Sequence, residues 1–341
     1  MTGPLISFVI PAYNVAPWLA RCVGSILAEA GGEVEVEVLL VDDGSTDETP
    51  GICDDLARGD PRVRAIHQEN GNVSAARNTG LDAARGEYVW FVDGDDGVAP
   101  GSLPLLEGLL ERETPDLIRF GFRKCFPDGK KELWCFPDRP GLYTGDGLQK
   151  LRLDAICYPH VLDYTQPRML SACAMLCRRA FLLENHLRFS SEREVLNEDY
   201  LFVMQAMHFA RSVRICAEPL YQYLLRSGSL STSPRPDMYR RKRRLFEIYR
   251  QTLGAEGGET AVRLRNFYID CIYNCFVEVC SHAPDARQAV AQIRPLLADP
   301  ELQRCLKENR SRIRSVKTRC ICFLMRRQLA GPMYRLYKLC K

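Results

Sequence analysis

The chain has 341 residues, 46% of them apolar and 26% charged, a balance that suits one large globular domain or two ordinary ones. No run of eighteen apolar residues occurs, which argues against a membrane-spanning helix, and Met1-Thr2-Gly3-Pro4 lacks the basic start of a secretory leader, which predicts a cytoplasmic protein. The net charge of +3 is unevenly placed: residues 304–341 hold twelve Lys or Arg against Glu308 alone, a balance of +11, so the first 303 residues carry −8 and the tail suits an acidic surface.

The first hundred residues alternate buried strands with amphipathic helices. Leu5–Ile10 predicts a strand, and Trp18, Leu19, Cys22, Ile26 and Leu27 give Pro17–Ala30 a helical period that stops at Gly31-Gly32. Val34–Val41 predicts a second strand, with Glu35 and Glu37 facing outward before the run turns wholly apolar. Ser45 or Thr46 is expected to cap the next helix, which carries Ile52 and Leu56. Val63–Ile66 follows as a strand, Ser74–Arg85 as a helix ended by Gly86, and Tyr88–Val92 as a strand. Such a βαβα order implies parallel strands, right-handed crossovers and helices on both faces.

Beyond Pro100 the pattern loosens. Leu103–Leu110 and Gly145–Leu153 read as helices, and Leu117–Phe126 pairs with Glu132–Phe136 around Pro127-Asp128-Gly129. Ala172–Cys177 predicts a strand, Glu198–Phe209 a helix and Leu220–Leu225 a strand. From Asp237 onward the chain is helical, with breaks near Gly254–Gly258, Ala283-Pro284 and Gly331-Pro332. The fifteen cysteines are odd in number and form no C-x-x-C pair. Cys173-x3-Cys177 and Cys271-x3-Cys275-x4-Cys280 would be near neighbours on helices and read as small core hydrophobes ahead of zinc or redox sites.

Two apolar runs end in carboxylates: Leu39-Leu40-Val41-Asp42-Asp43-Gly44-Ser45 and Val89-Trp90-Phe91-Val92-Asp93-Gly94-Asp95-Asp96. Open α/β sheets bind ligands at the carboxyl ends of their strands. Carboxylates bunched there are costly unless a cation or a hydrogen-bonding ligand compensates them. Two such ends in one short stretch predict a single metal-assisted nucleotide site.

Five segments in order complete the pattern: Val9-Ile10-Pro11-Ala12-Tyr13-Asn14, Val41-Asp42-Asp43-Gly44-Ser45-Thr46-Asp47, Asn70-Gly71-Asn72-Val73-Ser74-Ala75-Ala76-Arg77-Asn78-Thr79-Gly80, Asp93-Gly94-Asp95-Asp96 and Asn197-Glu198-Asp199-Tyr200. Together they resemble a family 2 glycosyltransferase of the GT-A fold, over roughly residues 5–230. The resemblance implies an α/β fold with a mixed, Rossmann-like sheet flanked by helices, a catalytic domain over 1–232 and a helical, basic region over 237–341. It also implies an inverting, metal-dependent transfer of a hexose or N-acetylhexosamine from a nucleotide sugar, UDP being the expected nucleotide. The acceptor would be a glycan or lipid-linked, in surface polysaccharide assembly.

The resemblance assigns Pro11, Tyr13 and Asp43 to the nucleoside, Tyr13 stacking on the base and Asp43 accepting from a pyrimidine N3–H; alone, these residues equally suit a core edge and a turn. Asp95 would ligate Mn²⁺ or Mg²⁺, with Asp93 nearer the ribose or a metal-bound water and Asp96 in support. Arg77, in the first turn of its helix, would either reach a phosphate or bridge to the acidic cluster. Asp199 resembles the family's catalytic base, although Glu198-Asp199 also suits an ordinary acidic helix start. Arg226 and Ser229 lie in a segment like the family's loop beyond the base and could touch diphosphate or acceptor.

Two other functions fit parts of the chain. Phe91-Val92-Asp93-Gly94-Asp95 mimics the nucleophile strand of haloacid-dehalogenase-type phosphatases, but Gly97 stands where that motif wants Thr or Val. A catalytically inactive nucleotide-sugar-binding protein would need a lost acid, and every acid is present. Tyr239-Arg240-Arg241-Lys242-Arg243-Arg244 reads as a solvated helical face. Ser315–Leu339 interleaves cations with Ile321, Phe323, Leu324, Tyr334 and Leu336 as a cationic amphipathic helix, which predicts peripheral binding at the inner face of the membrane. No nucleic-acid motif accompanies these cations, so no nucleic-acid partner is expected.

Overall fold

A computed structural model of the chain describes residues 6–30, 35–136, 138–163, 170–225, 235, 237–254 and 257–339. These form two compact units, one from residues 6–149, 170–192 and 197–225, the other from 150–163, 193–196 and the residues from 235 on.

The first unit opens with β1 (Ile6–Ala12), α1 (Ala16–Glu29), β2 (Val36–Asp42), α2 (Thr49–Gly59), β3 (Val63–His67), α3 (Val73–Ala83) and β4 (Tyr88–Phe91). β5 (Gly97–Val98), α4 (Ser102–Leu110), β6 (Leu117–Cys125), β7 (Lys131–Trp134) and β8 (Gly141–Thr144) follow, and α5 (Gly145–Ile156) starts here and continues into the second unit from residue 150. β9 (Met175–Arg178), α6 (Arg179–Glu184), α7 (Glu198–Phe209) and β10 (Ser212–Leu224) complete it. Among the described residues these strands make one ten-stranded sheet in the order β3-β2-β1-β4-β9-β6-β10-β5, with β7 beside β6 and β8 beside β10. The first four strands are parallel, as their βαβα order requires. β9 then runs antiparallel to both β4 and β6, so the sheet is mixed.

Every residue of β1 and β2 is buried, because helices cover both faces of this part of the sheet. Phe8 and Ile10 share a core with Leu19, Cys22 and Ile26 of α1, whereas Val9 points the other way, onto α3. There Gly80 lets helix and strand approach closely: a Cβ on it would stand 2.2 Å from Val9 Cγ1. Gly80→Ala is therefore expected to destabilise the unit by about 1–3 kcal/mol through overpacking, read as a lower urea midpoint at unchanged m-value.

Several local expectations are corrected. Glu37 does not face water but is 6% exposed, where its carboxylate accepts from Ser7 Oγ (2.6 Å), Arg85 N–H (2.6 Å) and Arg64 (3.3 Å). A strand covered on both faces has no outward side, so the acid had to find partners. Neither Ser45 nor Thr46 caps α2; Glu48 holds that position, while Asp47 accepts from Thr49 N–H (3.0 Å). β8 had no strand signal, and β10 begins eight residues before Leu220, because pairing to β6 and β8 extends it backward.

In the second unit α8 (Met238–Leu253), α9 (Gly258–His282), α10 (Ala286–Leu297), α11 (Pro300–Glu308), α12 (Val316–Arg326) and α13 (Ala330–Leu339) are packed mainly around the long α9. Residues 150–163 belong here because buried Arg263 binds Asp154 (3.0 Å) and the Cys157 carbonyl, and Asn266 donates to the Tyr158 carbonyl (3.0 Å). The run 239–244 is not a purely solvated face: Lys242 is buried, Arg244 binds Glu194 (2.7 Å) and Arg240 binds Asp237 (3.2 Å). The last break falls at Gln328 (φ +52°), before Gly331-Pro332, which open α13. The described cysteines are free and mostly buried, and burial lifts Cys53 to about 12 and Cys216 to about 11, as for inert core thiols.

Candidate active site

The site gathers where β1, β2 and β4 end. β1 delivers Pro11, buried, and then Tyr13, which is 48% exposed. Asn14 turns the chain with φ +52° and accepts from Thr46 N–H (2.8 Å), while its own N–H donates to Ser45 Oγ (3.1 Å). The end of β1 is thereby tied to the end of β2, leaving Tyr13 projecting beside it.

Both β2 aspartates are buried. Asp42 accepts from Ser45 N–H (3.0 Å) and pairs with His67 Nδ1 (2.9 Å), whose other nitrogen meets Asp54 (3.1 Å). These carboxylates raise the His67 pKa, the Asp42 hydrogen bond most of all. Asp43 organises the loop before α3, accepting from Gln68 Nε2 (2.6 Å), Gly71 N–H (2.9 Å) and Asn72 N–H (2.8 Å). Asn72 (φ +89°) caps α3 by accepting from Ser74 N–H and Ala75 N–H, so these two donors of the helix start are already used.

Arg77 stands on the fifth residue of α3, one residue further in than a start at Ser74 suggested, and is 5% exposed. Its guanidinium donates to Asp93 Oδ1 (2.9 Å) on one side and to Glu198 Oε1 (3.3 Å) on the other. Phe189 underlies it at 5.1 Å and is stacked on Phe202, with Phe91 edge-on. Asn78 holds Phe189 there through its backbone, donating to the carbonyl (2.9 Å) and accepting from the N–H (3.0 Å). Of the two readings of Arg77, the bridge between carboxylates is the geometry present. Burial opposes its charge, but Asp93, Glu198 and Asp199 outweigh burial and raise its pKa.

After β4 the chain passes Asp93, Gly94, Asp95 and Asp96. Gly94 is needed for close approach, since a Cβ there would crowd Val15 Cγ2 (3.2 Å) and the Pro11 carbonyl (3.3 Å). Asp93 and Asp95 are partly open, whereas Asp96 is buried and accepts from Tyr221 Oη (2.5 Å) and Leu224 N–H (2.9 Å). Burial first, then the charges of Asp93 and Asp95, lift Asp96 to about 8. Asp93 and Asp95 offer hard oxygen donors, with one Asp93 oxygen held by Arg77. That donor set fits Mg²⁺ or Mn²⁺, which take one or two carboxylates and complete their shell from phosphates and water.

α7 brings the last acids. Asn197 precedes it in the left-handed region (φ +65°), an uncommon conformation for a residue with a side chain. Asp199 accepts from Tyr200 N–H (2.9 Å) and is partly exposed. Burial and the neighbouring Glu198 raise it to about 7, against the pull of Arg77. Arg226, expected beside the diphosphate, lies outside the described residues.

Two residues with no assigned role support the centre. Tyr221 Oη bridges Asp96 and the Asp93 N–H (3.2 Å), and Arg21 of α1 donates to the Asp95 carbonyl (2.7 Å). Tyr221 lay only within the expected strand Leu220–Leu225, and Arg21 was an unremarkable cation on an exposed helix face. Neither had a local signal, because each partner lies more than seventy residues away.

A mixed sheet whose strand ends carry acids, two segments of which meet on one buried arginine, defines an α/β enzyme-like centre of the GT-A type. A family model described as glycosyl transferase family 2 matches residues 7–181, and the chain belongs to that family. It is 33% identical over 234 residues to the uncharacterized glycosyltransferase EpsJ of Bacillus subtilis (strain 168), covering 68% of this chain and 64% of EpsJ. It is 32% identical over 247 residues to the succinoglycan biosynthesis protein ExoO of Rhizobium meliloti (strain 1021), covering 69% of this chain and 64% of ExoO. The matches thus span a little under two thirds of those relatives. Among solved structures, S. aureus TarS 1–349 in complex with UDP-GlcNAc has a TM-score of 0.70 at 20% identity, covering 96% of this chain and 89% of that one. At that identity the likeness supports the fold alone. Family membership removes the phosphatase alternative.

Proposed function

We propose that the chain is an inverting, metal-dependent glycosyltransferase that moves a hexose or N-acetylhexosamine from a UDP-sugar to a glycan or lipid-linked acceptor. Its setting would be surface polysaccharide assembly at the inner face of the membrane. The observation that carries this reading is the convergence of Asp93 and Glu198 on one buried guanidinium, with Asp95 and Asp199 beside them in sequence. Tyr13, with Pro11 beside it, would stack on the base, and Asp43, which also orders the loop before α3, would accept from a pyrimidine N3–H. A Mg²⁺ or Mn²⁺ ion held by Asp95, with Asp93 beside it, would neutralise charge on the leaving diphosphate. Asp199 takes the proton of the acceptor hydroxyl as its oxygen attacks the anomeric carbon. The bond from that carbon to the diphosphate breaks on the opposite side, which inverts the configuration.

Donor binding is tested by thermal shift against UDP-, GDP- and CMP-sugars with Mn²⁺. A UDP-sugar at about 100 times its Kd is expected to add about 2.7 kcal/mol of apparent stability, seen as a rise in Tm. Asp95→Ala is expected to remove the Mn²⁺-dependent part of that rise. Stabilisation by none of the three donor classes would overturn the proposal. A donor shift without measurable turnover would instead mark a binding protein.

A further inference from the structure

α12 and α13 each carry two apolar faces. Ile321, Cys322 and Met325 bury one face of α12, and Ala330 and Met333 one face of α13. The other faces are open: Val316 is 74% exposed, Phe323 53% and Leu339 84%. With Leu324, Pro332 and Leu336 these side chains line an open groove of about 630 Å³. A helix that only completes a bundle needs one apolar stripe; a second, exposed one marks a docking surface.

The charge around this groove is of one sign. Arg319 and Arg335 line it, Lys317, Arg326 and Lys338 lie exposed on the same two helices, and Arg327 is exposed just past the end of α12. Among the described residues none of these six cations has a carboxylate within salt-bridge distance, and residues 309–341 contain no Asp or Glu. Arg327 lies over the Phe323 ring (5.9 Å) and Lys338 over Tyr334 (5.5 Å), so charge and apolar surface share one edge. An apolar partner helix would fill the groove and leave the cations unmatched. An anionic bilayer satisfies both, with acyl chains for the apolar side chains and headgroups for the cations. No described helix is long and apolar enough to cross a membrane, which leaves an arrangement in the plane of the interface.

We propose that the exposed α12–α13 face docks the chain on an anionic lipid bilayer, with Phe323 and Leu339 entering the acyl boundary and Arg319 and Arg335 on the headgroups. The inference rests on, and gives residues to, the reading of this chain as a transferase working at the membrane face.

The test is co-sedimentation of the full chain with phosphatidylcholine vesicles, with and without about 30% phosphatidylglycerol. Binding to the anionic vesicles is expected to be at least tenfold tighter and to weaken in about 0.5 M salt. Arg319→Glu with Arg335→Glu, and separately Phe323→Ser with Leu339→Ser, are each expected to lower it at least tenfold. Both pairs are exposed, so the UDP-sugar thermal shift is expected to remain. No sedimentation of the wild-type chain, equal binding to neutral vesicles, or unchanged binding by either double variant overturns the proposal. So does self-association lost in the Ser variant while lipid binding persists, which would assign the groove to a second copy. Lipid binding without a donor shift would fail the transferase reading alone, and a donor shift without lipid binding would fail the docking alone.

Discussion

Asp199→Asn is expected to lower sugar transfer by about 10²–10⁴-fold while leaving the UDP-sugar thermal shift in place. Asn keeps the shape of the side chain and can still accept the Tyr200 N–H that Asp199 accepts at 2.9 Å. What it loses is the capacity to take a proton. The wild-type carboxyl is raised to about 7, by burial first and then by Glu198, against the opposing charge of Arg77. As a base it works ionised, so the transfer rate is expected to rise with pH through about 7 and level off above. The residual rate of the Asn variant should lack that limb. Stability runs the other way. A folded-state pKa above the unfolded value near 3.9 means the protonated acid favours folding; that contribution is full below the unfolded pKa and is lost as pH rises through about 7. The uncharged Asn variant should therefore melt no lower than wild type at pH 8, with its relative advantage shrinking toward pH 5. Steady-state assays and calorimetry across that range read both effects. A loss below tenfold, or an unchanged acidic limb, would remove Asp199 from the role of base.

The part of the fold that was legible is the part governed by local periodicity. Runs such as Val36–Asp42 and Tyr88–Phe91 are too apolar and too short for anything but buried strands, and the acids that end them mark the carboxyl edge of the sheet. Long-range pairing was not legible. Glu37 looked solvated because an acid in an alternating run normally is; its partners Ser7, Arg64 and Arg85 come from three other segments. The same reason hid Tyr221 and Arg21, which hold the Asp93–Asp96 backbone and carboxylates from distant elements. It also hid the allegiance of residues 150–163, set by Arg263 and Asn266 more than a hundred positions later. Aspartates at strand ends announce a site, while the scaffold that aims them is written elsewhere.

Arg77→Met is expected to cost about 3–5 kcal/mol of stability and to reduce transfer as well, because it leaves carboxylates converging with no cation between them. Met keeps an unbranched stem against Phe189, so the loss reads the charge more than the packing. Arg77→Lys retains one positive charge but cannot span from Asp93 to Glu198 with the planar fork that now makes contacts of 2.9 and 3.3 Å, and should fall between the two. The pH dependence follows from sign. Arg77 holds the Asp199 pKa down, so its removal should push the acidic limb of the rate profile above 7. Ionised Asp199 loses the attraction of Arg77 as well, so the stability deficit should be largest above pH 7 and narrow as pH falls and Asp199 takes up its proton. Urea unfolding at pH 5.5 and 8 measures that difference directly. A guanidinium reserved for the diphosphate would behave differently: its loss would raise KM for the donor and leave folding in the absence of substrate untouched. Equal stability of wild type and Arg77→Met at both pH values would therefore assign Arg77 to the phosphate. A deficit that opens with rising pH assigns it to the acids around it, so that one side chain holds Asp93 and the start of α7 in register.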